Sequence, residues 1–441
     1  MKHTKIDVSE FVARREKLLA QMPDNSVALI PANKEVTRSR DTEFLFCQDK
    51  DFYYLTGFHE PDALLVLVKG DEFESVLFCR DKDPEQEVWH GRRVGAEKAQ
   101  TDYNFDLTYT LDELEQVLPM YINAKQTLLF AQGAQDEFDR LVFACLDVLR
   151  GGVKQGLTAP NTIIDIRETI HEMRLIKSDA EIQVMREANV ISGNAHKRAM
   201  EFTKQGVFEY QVEAEILHEF ASNGARTAAY GSIVGGGENA TILHYTDNDE
   251  VLIDDDLLLI DAGAELAGYA ADITRTFPVN GKFNEEQAAL YNLVLKSQIA
   301  AIEAIKPGAN FAQLNDIVNV VLTEGLLELG LLEGDLDTLV EETACKKYFI
   351  HGLGHWLGLD VHDVGDYQMN EERKQMRSFE PGMVMTIEPG LYIDAEASVD
   401  DKWQGLGVRI EDNILVTKDG FENLTINAPK TISDIEAVMK G

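Results

Sequence analysis

Apolar positions fall into two different rhythms along the chain. Over the first ~170 residues, short apolar runs alternate with segments of helical period, which predicts an α/β unit. SVALIPA (26–32), DALLVLV (62–68), SVLFCR (75–80) and TLLFAQ (127–132) read as strands, and 111–122 and 136–150 as amphipathic helices. A glycine-rich, irregular stretch follows, and then a helix start: Ser178 with Glu181 three residues on forms a capping box. The domain boundary is placed there, giving an N-terminal domain over 1–175 and a second domain over 176–441. The second half predicts long helices over 178–204, 208–224, 285–305 and 311–330, mixed with strand pairs, an α+β pattern. No internal repeat or low-complexity tract interrupts it.

Composition narrows the function. A chain of 441 residues supports two or three domains, and 44% hydrophobic with 27% charged residues is ordinary for a globular protein. The net charge of −36 argues against nucleic acid and against anionic membranes, both of which need clustered Lys and Arg; it fits a heavily solvated surface. No stretch approaches a membrane span, and the opening MKHTKIDVSEFVARREKLL lacks a signal peptide's apolar core, so a cytoplasmic protein is expected. The scattered Cys47, Cys79, Cys145 and Cys345 are expected to be buried free thiols.

The stretch HGLGHWLGLDVHD (351–363) holds His351, His355 and His362 among three glycines. The i,i+4 pair His351 and His355 invites a zinc-helix reading, but the glutamate that motif requires is replaced by Gly352, and interior glycines disfavour a helix. Irregular or extended backbone, close to something, is predicted instead.

Four acids in apolar strands say what that something is. Residues 257–279 read as a hairpin turning between Leu266 and Ala267, which would set Asp261 directly opposite Asp272. Like charges so placed repel unless a cation or proton intervenes. Glu388 ends the apolar run of 380–388, and Glu411 lies in 405–417 on one face with Arg409. An ion pair accounts for Arg409 and one acid, not for four. With His355 added, the set offers four oxygen ligands and one imidazole, suited to Mn²⁺, Fe²⁺, Co²⁺ or Zn²⁺, and can hold two ions that activate water. Hydrolase chemistry is expected.

IDAG…DITRTFPV, HGLGHWLGLDVHD, TIEPGLY and VRIED, in this order, resemble the creatinase/aminopeptidase family, whose catalytic domain has the pita-bread fold. The likeness extends to the N-terminal creatinase-like domain through DFYYLTGFHEPDALLVL (51–67) and VWHGRR (88–93), and to ILHYTDND (242–249). Within the family it points to the branch that releases the first residue of peptides with proline second. The resemblance implies two divalent ions, Mn²⁺ foremost, with Asp261 on one, His355 and Glu388 on the other, and Asp272 and Glu411 bridging. It implies attack by a metal-bridging hydroxide on the carbonyl before proline. His244 and His362 would bind substrate and move protons, with His351 in a lesser role. Tyr392 and Arg409 would support the metals, Asp41 would join them, and Trp89 would contribute to the substrate pocket across the interface of a homotetramer. The alternatives are a dipeptidase confined to Xaa-Pro, with side activity on organophosphates, and a metal-free peptide-binding module.

Overall fold

The computed structural model describes residues 5–369 and 374–440, in two compact units, Ile6–Arg174 and, essentially, Leu175–Gly441. The first is built on a six-stranded mixed sheet, in spatial order Leu107–Thr110, Phe73–Cys79, Leu64–Lys69, Ser26–Pro31, Thr127–Leu129 and Thr162–Ile164. The two central strands run antiparallel, with Val27 opposite Val68, as do Leu64–Lys69 and Phe73–Cys79, with Val66 opposite Val76; the other three pairs are parallel. The central strands are buried along almost their whole length, which is why they read as unbroken apolar runs rather than alternating ones. Helices Leu114–Ile122 and Asp136–Gly151 supply Leu118, Ile122, Phe138, Val142 and Leu146 to the core against Leu29, Val66 and Phe78. Among the cysteines, Cys79, Cys145 and Cys345 are buried and free, whereas Cys47, expected to be buried, is exposed; it ends a segment that does not pack into the core, where even Phe44 and Leu45 are exposed.

The second unit wraps helices around short, strongly buried strands. Helix Asp179–Phe202 begins at the Ser178–Glu181 capping box and packs along helix Glu209–Ser222. Helices Glu285–Glu303 and Phe311–Glu328 start with the same device, Asn284 with Gln287 and Asn310 with Gln313. Of the strand groups between these layers, two three-stranded sheets and a strand pair carry or flank the site. One sheet orders Ile233–Gly236, Leu257–Asp261 and Thr274–Pro278; the other orders Val384–Ile387, Asp412–Thr417 and Gly420–Asn423; Gly390–Tyr392 pairs with Gly407–Arg409. The strands from 384 to 417 are thus broken twice. Glu388 follows the end of one, and Glu411 falls in the gap between Gly407–Arg409 and Asp412–Thr417.

Candidate metal centre

The hairpin that carries the first two acids turns one position later than the sequence suggests. Asp261 pairs with Thr274 and Leu266 with Tyr269, so Asp261 does not face Asp272 directly. The turn residues are Ala267 and Gly268, both with positive φ (48° and 86°), the backbone that a two-residue hairpin requires. The resulting offset is two residues along one strand, and side chains two apart share a face. Both carboxylates therefore still converge: the Tyr230 hydroxyl lies 2.5 Å from Asp261 Oδ1 and also contacts Asp272 Oδ1. A Cβ on Gly263 would stand 1.7 Å from the Ala271 carbonyl oxygen, so the two acid-bearing segments cross backbone to backbone.

The histidine stretch is irregular, not helical, with one isolated bridge from Trp356 to Met385. It lies alongside the strand leading to Glu388: Thr386 N–H donates to His355 O (2.9 Å), Glu388 N–H to Leu353 O (2.8 Å) and Leu357 N–H to Val384 O (3.0 Å). A Cβ on Gly354 would fall 2.0 Å from Thr386 O, so only glycine lets the segments close. Trp356 anchors the stretch, stacked on Tyr367 and edge-on to Phe311. His355 Nδ1 sits 2.9 Å from Trp356 O, an acceptor, which assigns a proton to Nδ1 and turns Nε2 toward the acids. That Nε2 is 3.4 Å from Asp272 and 3.6 Å from Glu388.

Glu411 completes the cluster. Its Oε2 accepts from Thr274 Oγ1 at 2.8 Å, while its Oε1 is buried without a hydrogen-bond partner. Ligand atoms of Asp272, His355 and Glu411 all lie within 4.8 Å of one another. Asn413 grips the Asp272 backbone through both ends of its amide. Arg409 donates to Asp261 (2.8 Å), Thr274 Oγ1 (3.1 Å) and the Tyr392 hydroxyl (3.0 Å); Tyr392 also meets His351 Nε2 at 2.8 Å.

These charges do not balance on their own. Burial pushes Glu388 up to about 7, although His355 and Arg409 oppose it. Burial and the neighbouring acids hold Glu411 far above the carboxylate range and raise Asp272. Asp261 alone among the four is lowered: burial opposes its charge, but Arg409 and the Tyr230 hydroxyl together outweigh it. His355, despite burial, is raised to about 9 by Asp272 and Glu388. Four acids thus share one guanidinium and one imidazole. The deficit of positive charge, the unpartnered Glu411 oxygen and the inward Nε2 fit a divalent-cation site of oxygen and imidazole donors.

The outer histidines sit at the surface of this cluster. The His362 ring lies 4.2 Å from the His355 ring, and burial, with the neighbouring His355 and His244, lowers its pKa. His244 is exposed, but its loop is tied down from below. The fully buried Glu209 carboxylate accepts from the Tyr245 hydroxyl (2.8 Å), Gly236 N–H (2.7 Å) and Glu250 N–H (3.0 Å). His351 is partly buried, its Nδ1 2.7 Å from Gly352 O, and burial with the nearby Arg409 lowers it to about 4. Asp41 and Trp89 belong to the first unit. Asp41 is exposed in the turn joining Thr37–Ser39 to Thr42–Glu43, and Trp89 is 78% exposed on helix Pro84–His90, so packing within the chain does not explain it. Sequence reasoning missed Tyr230, Thr274, Asn413 and Glu209. Thr274 was within reach, two residues from Asp272 on the same strand face; nothing local marks the other three.

Known proteins resemble the chain along nearly its whole length. Residues 183–418 match the family model for metallopeptidase family M24, and residues 11–130 that for the aminopeptidase P N-terminal domain. The Xaa-Pro aminopeptidase of Escherichia coli K12 is 47% identical over 99% of this chain and 98% of that protein. Two solved structures superpose with TM-scores of 0.97, each covering 99% of both chains. They are zinc-substituted E. coli aminopeptidase P in complex with product, 47% identical, and Pseudomonas aeruginosa aminopeptidase PepP, 46% identical.

Proposed function

Because the chain belongs to metallopeptidase family M24, we propose that it is a divalent-metal aminopeptidase releasing the first residue of peptides with proline in second position. One observation carries the reading: ligand atoms of Asp272, His355 and Glu411 lie within 4.8 Å of one another, with Glu388 beside His355, Asp261 sharing a hydroxyl with Asp272, too little positive charge and one unpartnered buried carboxylate oxygen. Asp261, Asp272, His355, Glu388 and Glu411 are the residues that would hold the two ions. When bound, such ions polarise a carbonyl and make water acidic enough to attack near neutral pH. The oxygen-rich donor set favours Mn²⁺.

The chain's own groups do the rest. Glu388, beside His355 and 3.7 Å from His351, takes a proton from the attacking water and returns it to the departing proline nitrogen. The exposed imidazoles of His244 and His362 hold the substrate carbonyl and stabilise its developing negative charge. Arg409, fixed by Tyr392, keeps Asp261 ionised and oriented. The acidic cluster attracts a free peptide amino terminus, which makes the enzyme an exopeptidase. Proline offers no N–H, so its selection rests on shape.

The test is a manganese-reconstituted assay on Xaa-Pro peptides of graded length, with Glu388→Ala as the control. Activity confined to the dipeptide would overturn the aminopeptidase reading in favour of a prolidase. Protein that takes up no divalent ion would favour a binding module. The reading extends to a cytoplasmic homotetramer in which Trp89 and Asp41 reach a substrate pocket; cell fractionation, sedimentation velocity and the KM of Trp89→Ala test these parts separately. No helix among the described residues is long and apolar enough to cross a membrane.

A further inference from the structure

A buried ion pair lies outside the metal cluster and is not used by the chemistry above. Lys177 Nζ sits 2.9 Å from Asp363 Oδ2, with both side chains 1% exposed. Such a pair is an inefficient way to stabilise a fold, because desolvating both charges offsets their attraction and apolar replacements often do as well. Its position suggests another use. Asp363 directly follows His362, and it closes the loop that carries that histidine. Asp363 N–H donates to Trp356 O (2.9 Å), Gly358 N–H to Asp360 O (3.1 Å), and Asp360 N–H reaches Asp363 Oδ1 at 3.4 Å.

The loop is also held from outside. Gly358 O accepts from Ala270 N–H at 2.8 Å, in the acid-bearing hairpin, and Lys177 N–H donates to Gly382 O at 2.9 Å, ahead of the strand leading to Glu388. A Cβ on Gly358 would lie 2.2 Å from Asp363 Oδ2 and 2.9 Å from Lys177 Cε, so the loop backbone is pressed onto the pair. His355, at the near end of the loop, is fixed by its pairing with Thr386. His362, at the far end, depends on Asp363.

We propose that Lys177 and Asp363 are positioning residues that hold the His362 imidazole beside the metal cluster, so that it meets the substrate in one orientation. The inference rests on the aminopeptidase reading for its kinetic consequence, but not for its structural one. Lys177 acts through His362 and touches no substrate.

The experiment pairs Lys177→Met and the charge-free double variant Lys177→Met/Asp363→Leu with His362→Ala, alone and combined. In the His362-intact protein, the double variant is expected to lower kcat/KM on an Xaa-Pro tripeptide at least tenfold while binding manganese at unchanged stoichiometry. In the His362→Ala background the same changes are expected to cost less than twofold, because the residue they position is gone. Additive losses, or full activity in the double variant, would overturn the proposal. Amide hydrogen exchange needs no substrate: faster exchange confined to 356–363 in the double variant supports the proposal, and unchanged exchange refutes it. If the unaltered protein cleaves no Xaa-Pro peptide, the functional reading fails, and the exchange result still decides the role of the pair.

Discussion

Gly354→Ala is a one-methyl perturbation with a calculable consequence. The added Cβ would stand 2.0 Å from Thr386 O, about 1.4 Å short of ordinary 3.4 Å contact, and the obstacle is backbone rather than a flexible side chain. The histidine segment and the strand before Glu388 must therefore separate by about that amount. The bonds Glu388 N–H to Leu353 O and Thr386 N–H to His355 O, now 2.8 and 2.9 Å, would stretch to roughly 4 Å, outside hydrogen-bonding range. His355 and Glu388 ride on the two separating segments, and a misplacement of about 1 Å costs on the order of 10²-fold in rate. Overpacking of this kind also costs about 1–3 kcal/mol of stability. The assay is kcat/KM of manganese-saturated enzyme on a tripeptide with proline second, alongside thermal melting. Gly352→Ala is the internal control, since nothing lies within 4 Å of its Cβ. Gly354→Ala with nearly full activity and an unshifted melting temperature would refute the close-approach argument.

Other perturbations test the cluster from different sides. Tyr230→Phe removes the hydroxyl shared by Asp261 and Asp272 and should weaken manganese binding about 10–100-fold by calorimetry, as loss of a ligand-orienting partner does. Asp412→Asn leaves the buried Arg275 guanidinium, now 2.7 Å from Asp412, without its counter-charge; melting should report a loss of about 3–5 kcal/mol. The chelator-stripped protein should lose stability as pH rises. Glu388 (about 7, against an ordinary 4.5) and His355 (about 9, against 6.5) hold their protons longer folded than unfolded, as do Asp272 and Glu411. Their contribution is complete only below about pH 3.8, the ordinary value of Asp272, and fades through about pH 9. Cations displace the same protons, so the melting-temperature rise on adding manganese should grow from pH 5 to pH 8; a rise that shrinks over that range would contradict the assigned cluster.

Much of the architecture could be read from local pattern. The capping box at Ser178 marks the start of helix Asp179–Phe202, and the apolar runs around 26–32 and 75–80 mark buried strands, because capping and burial leave signatures within a few residues. The acids of the cluster stand out in the sequence for a related reason: an acid in an apolar run is conspicuous. What failed was register. The face shared by Asp261 and Asp272 follows from period two, but their pairing depends on which residues adopt positive φ, and Ala267 gives little sign of it. The extent of the strand around Glu411 was likewise overstated, since the break there serves Thr274 and Arg275 rather than any local preference. Tyr230, Asn413 and Glu209 act on partners across loops and neighbouring segments, so no window around them shows their role.

The acids and imidazole of the centre are distributed from Asp261 to Glu411, and Thr274, Asn413 and Arg275 stitch them together across that span. During synthesis, then, a polypeptide that has reached only His355 has nothing complete to offer an ion. Capture of a divalent cation belongs after translation has delivered Glu411, and prematurely terminated products compete poorly for it.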